Sequence, residues 1–237
     1  MNFKITELEA TDSTNNEIKK LAESGGKEGT VIIARSQTGG KGSHGRSFLS
    51  PQGGLYMSLL LRPKSTGHIT AMAAVAGVRA LYLVCGADAG IKWTNDIYLG
   101  GKKLAGILTE GAFGEDGKLK YAVLGIGINI GHIDFGKELE GKAASLEDFG
   151  FYPDRRELAS AFLHEFDRLY TRKADWLPCY REKSVVLGKK VTVSTYNESY
   201  NATASEIDNN GYLIVKKENG EKITLISGEV SVRGDFS

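Results

Sequence analysis

Cysteine is scarce in this chain. Of its 237 residues two are cysteine, Cys85 and Cys179. Two cannot build a disulfide framework, which excludes a small secreted scaffold and points to a reducing compartment. A charge surplus is also missing. Lysine and arginine number 30 against 29 aspartates and glutamates, a formal net charge of +1. That balance gives no global electrostatic reason to bind nucleic acid or an anionic membrane. No long hydrophobic run occurs either: the longest apolar stretch, residues 69–85, is broken by Arg79 and is too short to span a bilayer. The opening MNFKITELEA lacks the apolar core of a secretory signal, so the expected location is cytoplasmic. There is no internal repeat and no low-complexity tract. His44, His68, His132 and His164 show no metal-ligand spacing with a cysteine or with each other, which argues against a zinc site. No Gly-x-Ser-x-Gly elbow is present, which argues against a serine hydrolase.

What is present is an ordinary globular balance, 41% hydrophobic and 25% charged, with room for one medium and one small domain. Glycine is in excess. The 30 glycines are roughly 13% of the chain against a usual ~7%. They cluster at 25–26, 39–45, 53–54, 100–106 and 125–131. Glycine permits close backbone approach, so clusters at strand ends suggest backbone wrapped around a ligand.

The periodicities predict a helix from Asp12 to Glu23, with Thr14 and Glu17 at capping-box spacing. Strands are expected at 30–34, 55–61, 91–93, 97–99, 104–110 and 121–130, with helices at 68–84, 154–170 and 174–182. Asp154 should cap the second of these, whose core stripe is Leu158, Phe162, Phe166 and Leu169. After Leu187 the pattern changes to five short strands, with Asn209-Asn210-Gly211 and Glu218-Asn219-Gly220 as tight turns. About 50 residues of β structure are marginal alone, so this part should pack on the larger one. The expected class is α+β, divided into residues 1–186 and 187–237.

Four segments carry chemistry. Residues 36–46 hold four glycines among Lys41, His44 and Arg46, a loop that can point N–H groups and cations at an anion; a plain surface loop is the alternative. Lys92-Trp93-Thr94-Asn95-Asp96 places a carboxylate at a strand end, as a turn or as part of a metal–nucleotide site. In Lys103-Leu104-Ala105-Gly106-Ile107-Leu108 a lysine enters a strand of small residues and can project into the space they leave. Gly125-Ile126-Gly127-Ile128-Asn129 is a strand weakened by glycine, which makes sense where something must approach closely. Residues 131–137 imitate the start of a P-loop, but Glu138 stands where a Ser or Thr should meet Mg²⁺, so a P-loop is not expected.

Taken in order, Asp12-Ser13-Thr14-Asn15, the loop from Gln37 to Arg46, Lys92 to Asp96, Lys103 to Leu108, Gly125 to Asn129 and Gly228-Glu229-Val230-Ser231-Val232-Arg233 resemble the biotin–protein ligase family over nearly the whole chain. The resemblance implies a mixed α/β catalytic domain followed by a small SH3-like β barrel. It implies ATP, Mg²⁺ and the substrate biotin, with a biotin carboxyl carrier protein or domain of a carboxylase as acceptor. Biotin is first adenylated and then passed to the acceptor lysine. By motif, Lys103, Asp96 and Arg46 are the catalytic group, Lys103 contacting carboxylate and phosphate oxygens. Ser13, Thr14, Asn15, Gln37, Gly40, Lys41, Gly42, Ser43, Lys103, Gly106, Leu108, Gly125 and Gly127 line the biotin pocket. Arg46, Phe48, Asn95, Asp96, Lys103 and Asn129 serve ATP, with Asp96 also toward the metal. Helix capping stays open as a second role for Ser13 and Thr14.

The stretch 131–142 is expected to close over the adenylate, and Arg233 to reach the catalytic domain. The family's glycine loop is commonly richer in arginine. Here Lys41 keeps charge without the guanidinium fork, and Ser43 replaces a cation, which implies looser hold on the adenylate. Relatives with an N-terminal helix-turn-helix act as repressors; the match here begins by Asp12, so DNA binding is not expected. The resemblance leaves monomer and homodimer open. A lipoate–protein ligase shares the catalytic fold, but Lys-Trp-x-Asn-Asp and the terminal Gly-Glu-Val-Ser-Val-Arg favour biotin. Lys103, Asp96 and Asn129 argue against a passive biotin-binding module.

Overall fold

A computed structural model describes residues 1–195 and 198–232, without the side chains of His44 and Glu229. Arg233 lies outside the described residues. The first part is built from β1 (Lys4–Leu8), α1 (Thr14–Glu23), β2 (Thr30–Ala34), β3 (Gly54–Leu61), α2 (Ile69–Cys85), β4 (Gly90–Lys92), β5 (Asp96–Leu99), β6 (Lys102–Phe113) and β7 (Leu119–Asn129). A one-turn α3 (Gly136–Leu139), α4 (Arg155–Tyr170) and α5 (Leu177–Glu182) follow. The strands form one sheet in the order β1-β2-β3-β7-β6-β5-β4. Only the β1–β2 pair is parallel.

Side chains alternate across a strand, and that alternation separates the sheet's two faces. Leu55, Met57 and Leu59 of β3, Ala105 and Ile107 of β6, and Leu124, Ile126 and Ile128 of β7 share one buried core with α2 and α4. Each large side chain so buried contributes roughly 1.5–3 kcal/mol. α2 is apolar nearly all round and is enclosed there up to Leu81, while Tyr82 and Leu83 of its last turn are exposed; its Gly77 lets the helix approach Ile97. α4 starts where Asp154 accepts hydrogen bonds from the N–H groups of Arg156 and Glu157, as expected, and buries Leu158, Phe162, Phe166 and Leu169.

On the opposite face α1 covers only part of the sheet, through Ile18 and Ala22 against Ile32, Leu60, Tyr121 and Val123. The rest of that face carries Gly106, Leu108, Gly125 and Gly127.

The second part is a five-stranded antiparallel sheet in the order β11-β10-β9-β8-β12, from β8 (Lys190–Ser194), β9 (Ser199–Ile207), β10 (Leu213–Lys216), β11 (Lys222–Leu225) and β12 (Glu229–Val232). Its Val191, Val193, Ala204, Leu213 and Val215 are continuous with the core of the first part. Trp93 Nε1 donates to Gly211 O at 3.0 Å, and Arg181 Nε donates to Ile207 O at 2.7 Å. Gly211 has φ 79°, the left-handed backbone that the Asn-Asn-Gly turn requires.

Two expectations fail. The capping box at Thr14 and Glu17 does not form: Ser13 is the N-cap, without a side-chain cap bond, and Thr14 is already inside the helix. The Thr14 hydroxyl faces Gln37 and Ser58 instead, and Glu17 pairs with Lys20. Buried polar partners outcompete a local cap. β1 was not anticipated, because its side chains are largely exposed and show no alternation; parallel pairing to β2 creates it.

Candidate active site

The open face of the sheet is the floor of the site. Gly106 pairs across the strands with Gly127, and Gly125 with both Leu108 and Ser58. A Cβ at Gly125 would collide with Asn15 Oδ1, and one at Gly127 with the Phe48 ring. The glycines therefore admit groups that lie flat on the sheet.

Around this floor, Ser13, Thr14, Asn15, Gln37, Lys41, Phe48, Gly106, Leu108, Gly125 and Gly127 line a recess of about 30 Å³. The start of α1 supplies the first three, all buried. The Gln37 Oε1 accepts from the Thr14 N–H at 2.8 Å and from its hydroxyl at 3.0 Å, while Gln37 Nε2 donates to Ser50 Oγ at 2.9 Å. Gly40 is held against Phe48 O and Ser50, where a side chain would not fit.

Beside the recess opens a cleft of about 1280 Å³, which Lys41, Gly42, Ser43, Arg46, Phe48, Asn95, Asp96, Lys103, Gly106, Leu108 and Asn129 help to line. Lys103 Nζ lies 2.7 Å from Asp96 Oδ1 and 6.0 Å from the Phe48 ring centroid. The antiparallel β5–β6 pairing brings these two side chains together from either strand. Further cations, Lys92, Lys102, Lys142, Lys183 and Lys189, face the same cleft, against the acids Asp88, Asp96 and Glu182. A neutral chain thus concentrates positive charge in one place.

Asn129 is buried. Its Nδ2 donates to Ala144 O at 3.1 Å, and its Oδ1 has no hydrogen-bond partner among the described residues. An orphaned acceptor at a cleft wall is suited to a ligand N–H. Asn95 is more constrained: its Nδ2 donates to Ile107 O at 2.8 Å, which fixes the turn before Asp96. Arg46 donates from Nε to Ser43 O at 3.3 Å and from Nη2 to Ser43 Oγ at 3.2 Å.

The segment after β7 is not a P-loop. Phe135, Leu139, Gly141, Lys142 and Ala143 form one wall of the cleft. Lys103 N donates to Lys142 O at 2.9 Å and Ala144 N to Lys103 O at 3.0 Å, which ties that wall to the lysine's own backbone.

Two residues were not anticipated. Ser58, fully buried in the apolar run of β3, touches Thr14 Oγ1 and Asn15 Oδ1. Glu110 accepts from Asn15 Nδ2 and from Lys19 Nζ, both at 2.7 Å. Burial pushes the Glu110 carboxyl's pKa up, but the Lys19 ammonium and the Asn15 amide outweigh it and hold the group below its ordinary value. Their signals were a lone hydroxyl among leucines and a carboxylate two residues beyond Leu108 on the same strand face.

Residues 7–129 match the Biotin/lipoate A/B protein ligase family, and residues 186–233 match the Biotin protein ligase C terminal domain. The chain is 34% identical to the biotin--[acetyl-CoA-carboxylase] ligase of Paracoccus denitrificans, over 91% of this chain and 95% of that one. It is 33% identical to the bifunctional ligase/repressor BirA of Bacillus subtilis, over 89% of this chain and 68% of that one. Among solved structures, the biotin protein ligase from Aquifex aeolicus in complex with biotin and ATP superposes with a TM-score of 0.80 at 26% identity, covering 97% of this chain and 98% of that one. Both parts of the fold and their order along the chain agree with these matches: the chain belongs to the biotin–protein ligase family.

Proposed function

We propose that the protein is an ATP-dependent biotin–protein ligase acting on a lysine of a biotin carboxyl carrier protein. The observation that carries this is the meeting of two unlike compartments along Lys41, Phe48, Gly106 and Leu108, with Lys103 on the cleft side beside Gly106: a polar-walled recess over glycines, and a large basic cleft. In the first step a biotin carboxylate oxygen attacks the α-phosphorus of ATP. The new C–O–P linkage forms as the bond to the β-phosphate oxygen breaks, and pyrophosphate leaves. In the second step the unprotonated acceptor amine attacks the carbonyl of this anhydride. The amide forms, AMP leaves, and the amine's proton goes to solvent or base.

Lys103 neutralises the charge that gathers on carboxylate and α-phosphate oxygens, and Asp96 at 2.7 Å holds its ammonium in place. Arg46 and Lys41 take the phosphate side, with Ser43 and Gly42 shaping the loop. Asn129 Oδ1 accepts from the nucleobase. Ser13, Thr14, Asn15 and Gln37 meet the ureido head, while Gly40, Gly106, Leu108, Gly125 and Gly127 admit the rings and chain. Phe48 lies on Gly127 and against Gly106. The recess beneath it holds about 30 Å³, so the ring swings off the glycines to admit biotin and then borders the nucleotide.

Among the described residues no group of three or more His, Cys, Asp or Glu could hold a metal ion. A single carboxylate, Asp96, beside a phosphate site fits magnesium that arrives with ATP, mostly coordinated by phosphate and water. When bound, the ion supplies charge neutralisation on the phosphates.

The test is pyrophosphate release with ATP and Mg²⁺, run with biotin, with lipoate and with neither. Biotin-dependent release that collapses in Lys103→Ala is the expected result. Release with lipoate alone would move the activity to the lipoate branch, and tight biotin binding without release would leave a binding module.

A further inference from the structure

We propose that Glu110 is a positioning residue that sets which ligands the recess accepts, by fixing the polarity of Asn15. The proposal rests on the biotin-ligase reading and deepens it. A carboxylate only accepts hydrogen bonds. Glu110 Oε2 therefore claims the Asn15 amide nitrogen, at 2.7 Å, while Lys19 holds its Oε1 at 2.7 Å. The Asn15 carbonyl oxygen is thereby turned inward, over Gly125 and onto Ser58. Gln37 is oriented the same way from the other side. Its Nε2 donates to Ser50 Oγ, which itself donates to Phe48 O, both at 2.9 Å, so its carbonyl oxygen faces Thr14.

The proton count follows. Three oxygen–oxygen contacts run in series: Gln37 Oε1 to Thr14 Oγ1 at 3.0 Å, Thr14 Oγ1 to Ser58 Oγ at 2.7 Å, and Ser58 Oγ to Asn15 Oδ1 at 2.5 Å. The two hydroxyls bring two protons to these three contacts. The Thr14 N–H serves Gln37 Oε1 at 2.8 Å but bridges none of these oxygen–oxygen contacts, so the series is one proton short and favours a ligand that donates N–H over one that accepts. A cyclic urea with two N–H donors fits this deficit; an analogue with a ring oxygen in place of one N–H does not. With a glutamine at 110, the Asn15 amide can turn over, present its NH₂ inward and remove the deficit.

The experiment is calorimetric titration of the full chain with biotin and with its cyclic carbamate analogue, one ureido N–H replaced by oxygen. Wild type is expected to prefer biotin by on the order of 100-fold or more, because a site built for an N–H rejects a ligand lacking it. Glu110→Gln is expected to bind biotin about tenfold more weakly and to lose most of the preference, with a thermal midpoint near wild type. A merely structural role would weaken both ligands alike. In an Asn15→Ala background the Glu110→Gln change should leave the preference unaltered. An unchanged preference in Glu110→Gln, or a wild-type ratio near one, overturns the proposal. Failure of wild type to bind biotin at all would instead fell the ligase reading, and this inference with it.

Discussion

The two faces of the seven-stranded sheet come from the same strands yet obey opposite rules. On β7, Leu124, Ile126 and Ile128 fill the face under α2 and α4, while Gly125 and Gly127, interleaved with them, give the other face no side chains of their own. β6 repeats the arrangement with Ala105 and Ile107 against Gly106 and Leu108. One face maximises buried apolar area and the other keeps space and polar groups for a ligand. Stability and activity are thus separated by a single-residue step along the chain, and substitutions at adjacent positions should fail in different ways.

The largest separation is expected at Lys103. Lys103→Ala should lower kcat for biotin-dependent pyrophosphate release by about 10²–10³-fold. The side chain is a third exposed, so the thermal midpoint should scarcely move. A large drop in midpoint would make Lys103 a structural residue and blur the comparison. The converse case is Ile128→Ala on the packed face. This side chain is fully buried, and truncation should cost about 2–5 kcal/mol in chemical denaturation. Turnover per folded molecule should stay close to wild type.

A smaller effect is predicted next door. Gly127→Ala puts a methyl group against Phe48, a movable ring, so the protein should still fold. Its stability should rise by about 0.5 kcal/mol, as alanine loses less chain entropy than glycine in a strand. The KM for biotin should rise about tenfold, on the order of 1.4 kcal/mol. Opposite signs in one variant, read by melting and by steady-state kinetics, would sharpen the two-face argument. Equal losses of stability and affinity would break it.

Much of this was legible in advance because glycine inside a strand is informative. Gly106, Gly125 and Gly127 weaken β structure unless something lies on them, and their alternation with isoleucines marks that face directly. Lys103 and Asn129 could be singled out because they stand at the ends of those strands, and Asp96 because it opens the neighbouring β5. What escaped notice depends on contacts between distant segments. Ser58 gains its meaning from α1, more than 40 residues earlier, and Glu110 from Asn15, 95 residues away. β1 exists through pairing with β2 rather than through any pattern of its own. The capping-box spacing at Thr14 and Glu17 was a true local signal that lost to Gln37 and Ser58, since a buried hydroxyl needs its partners more than an exposed helix end does.

The smallest predicted effect concerns the rim where the two faces' rules meet, at Glu110 on β6. Its carboxyl is held below its ordinary pKa, burial opposing and Lys19 with Asn15 prevailing. A lowered folded-state value means the contacts stabilise the protein fully above the unfolded-state value, and that this contribution fades as pH falls through the folded one. The stability difference between wild type and Glu110→Gln should therefore shrink on acidification from roughly pH 6 to pH 3. Because Lys19 and Glu110 remain about a quarter to a third exposed, the change should be no more than about 1 kcal/mol. Urea denaturation of both proteins across that range measures it. A difference that stays constant with pH would mean that Glu110 acts through shape alone, and that the polar rim follows the packing rule of the filled face after all.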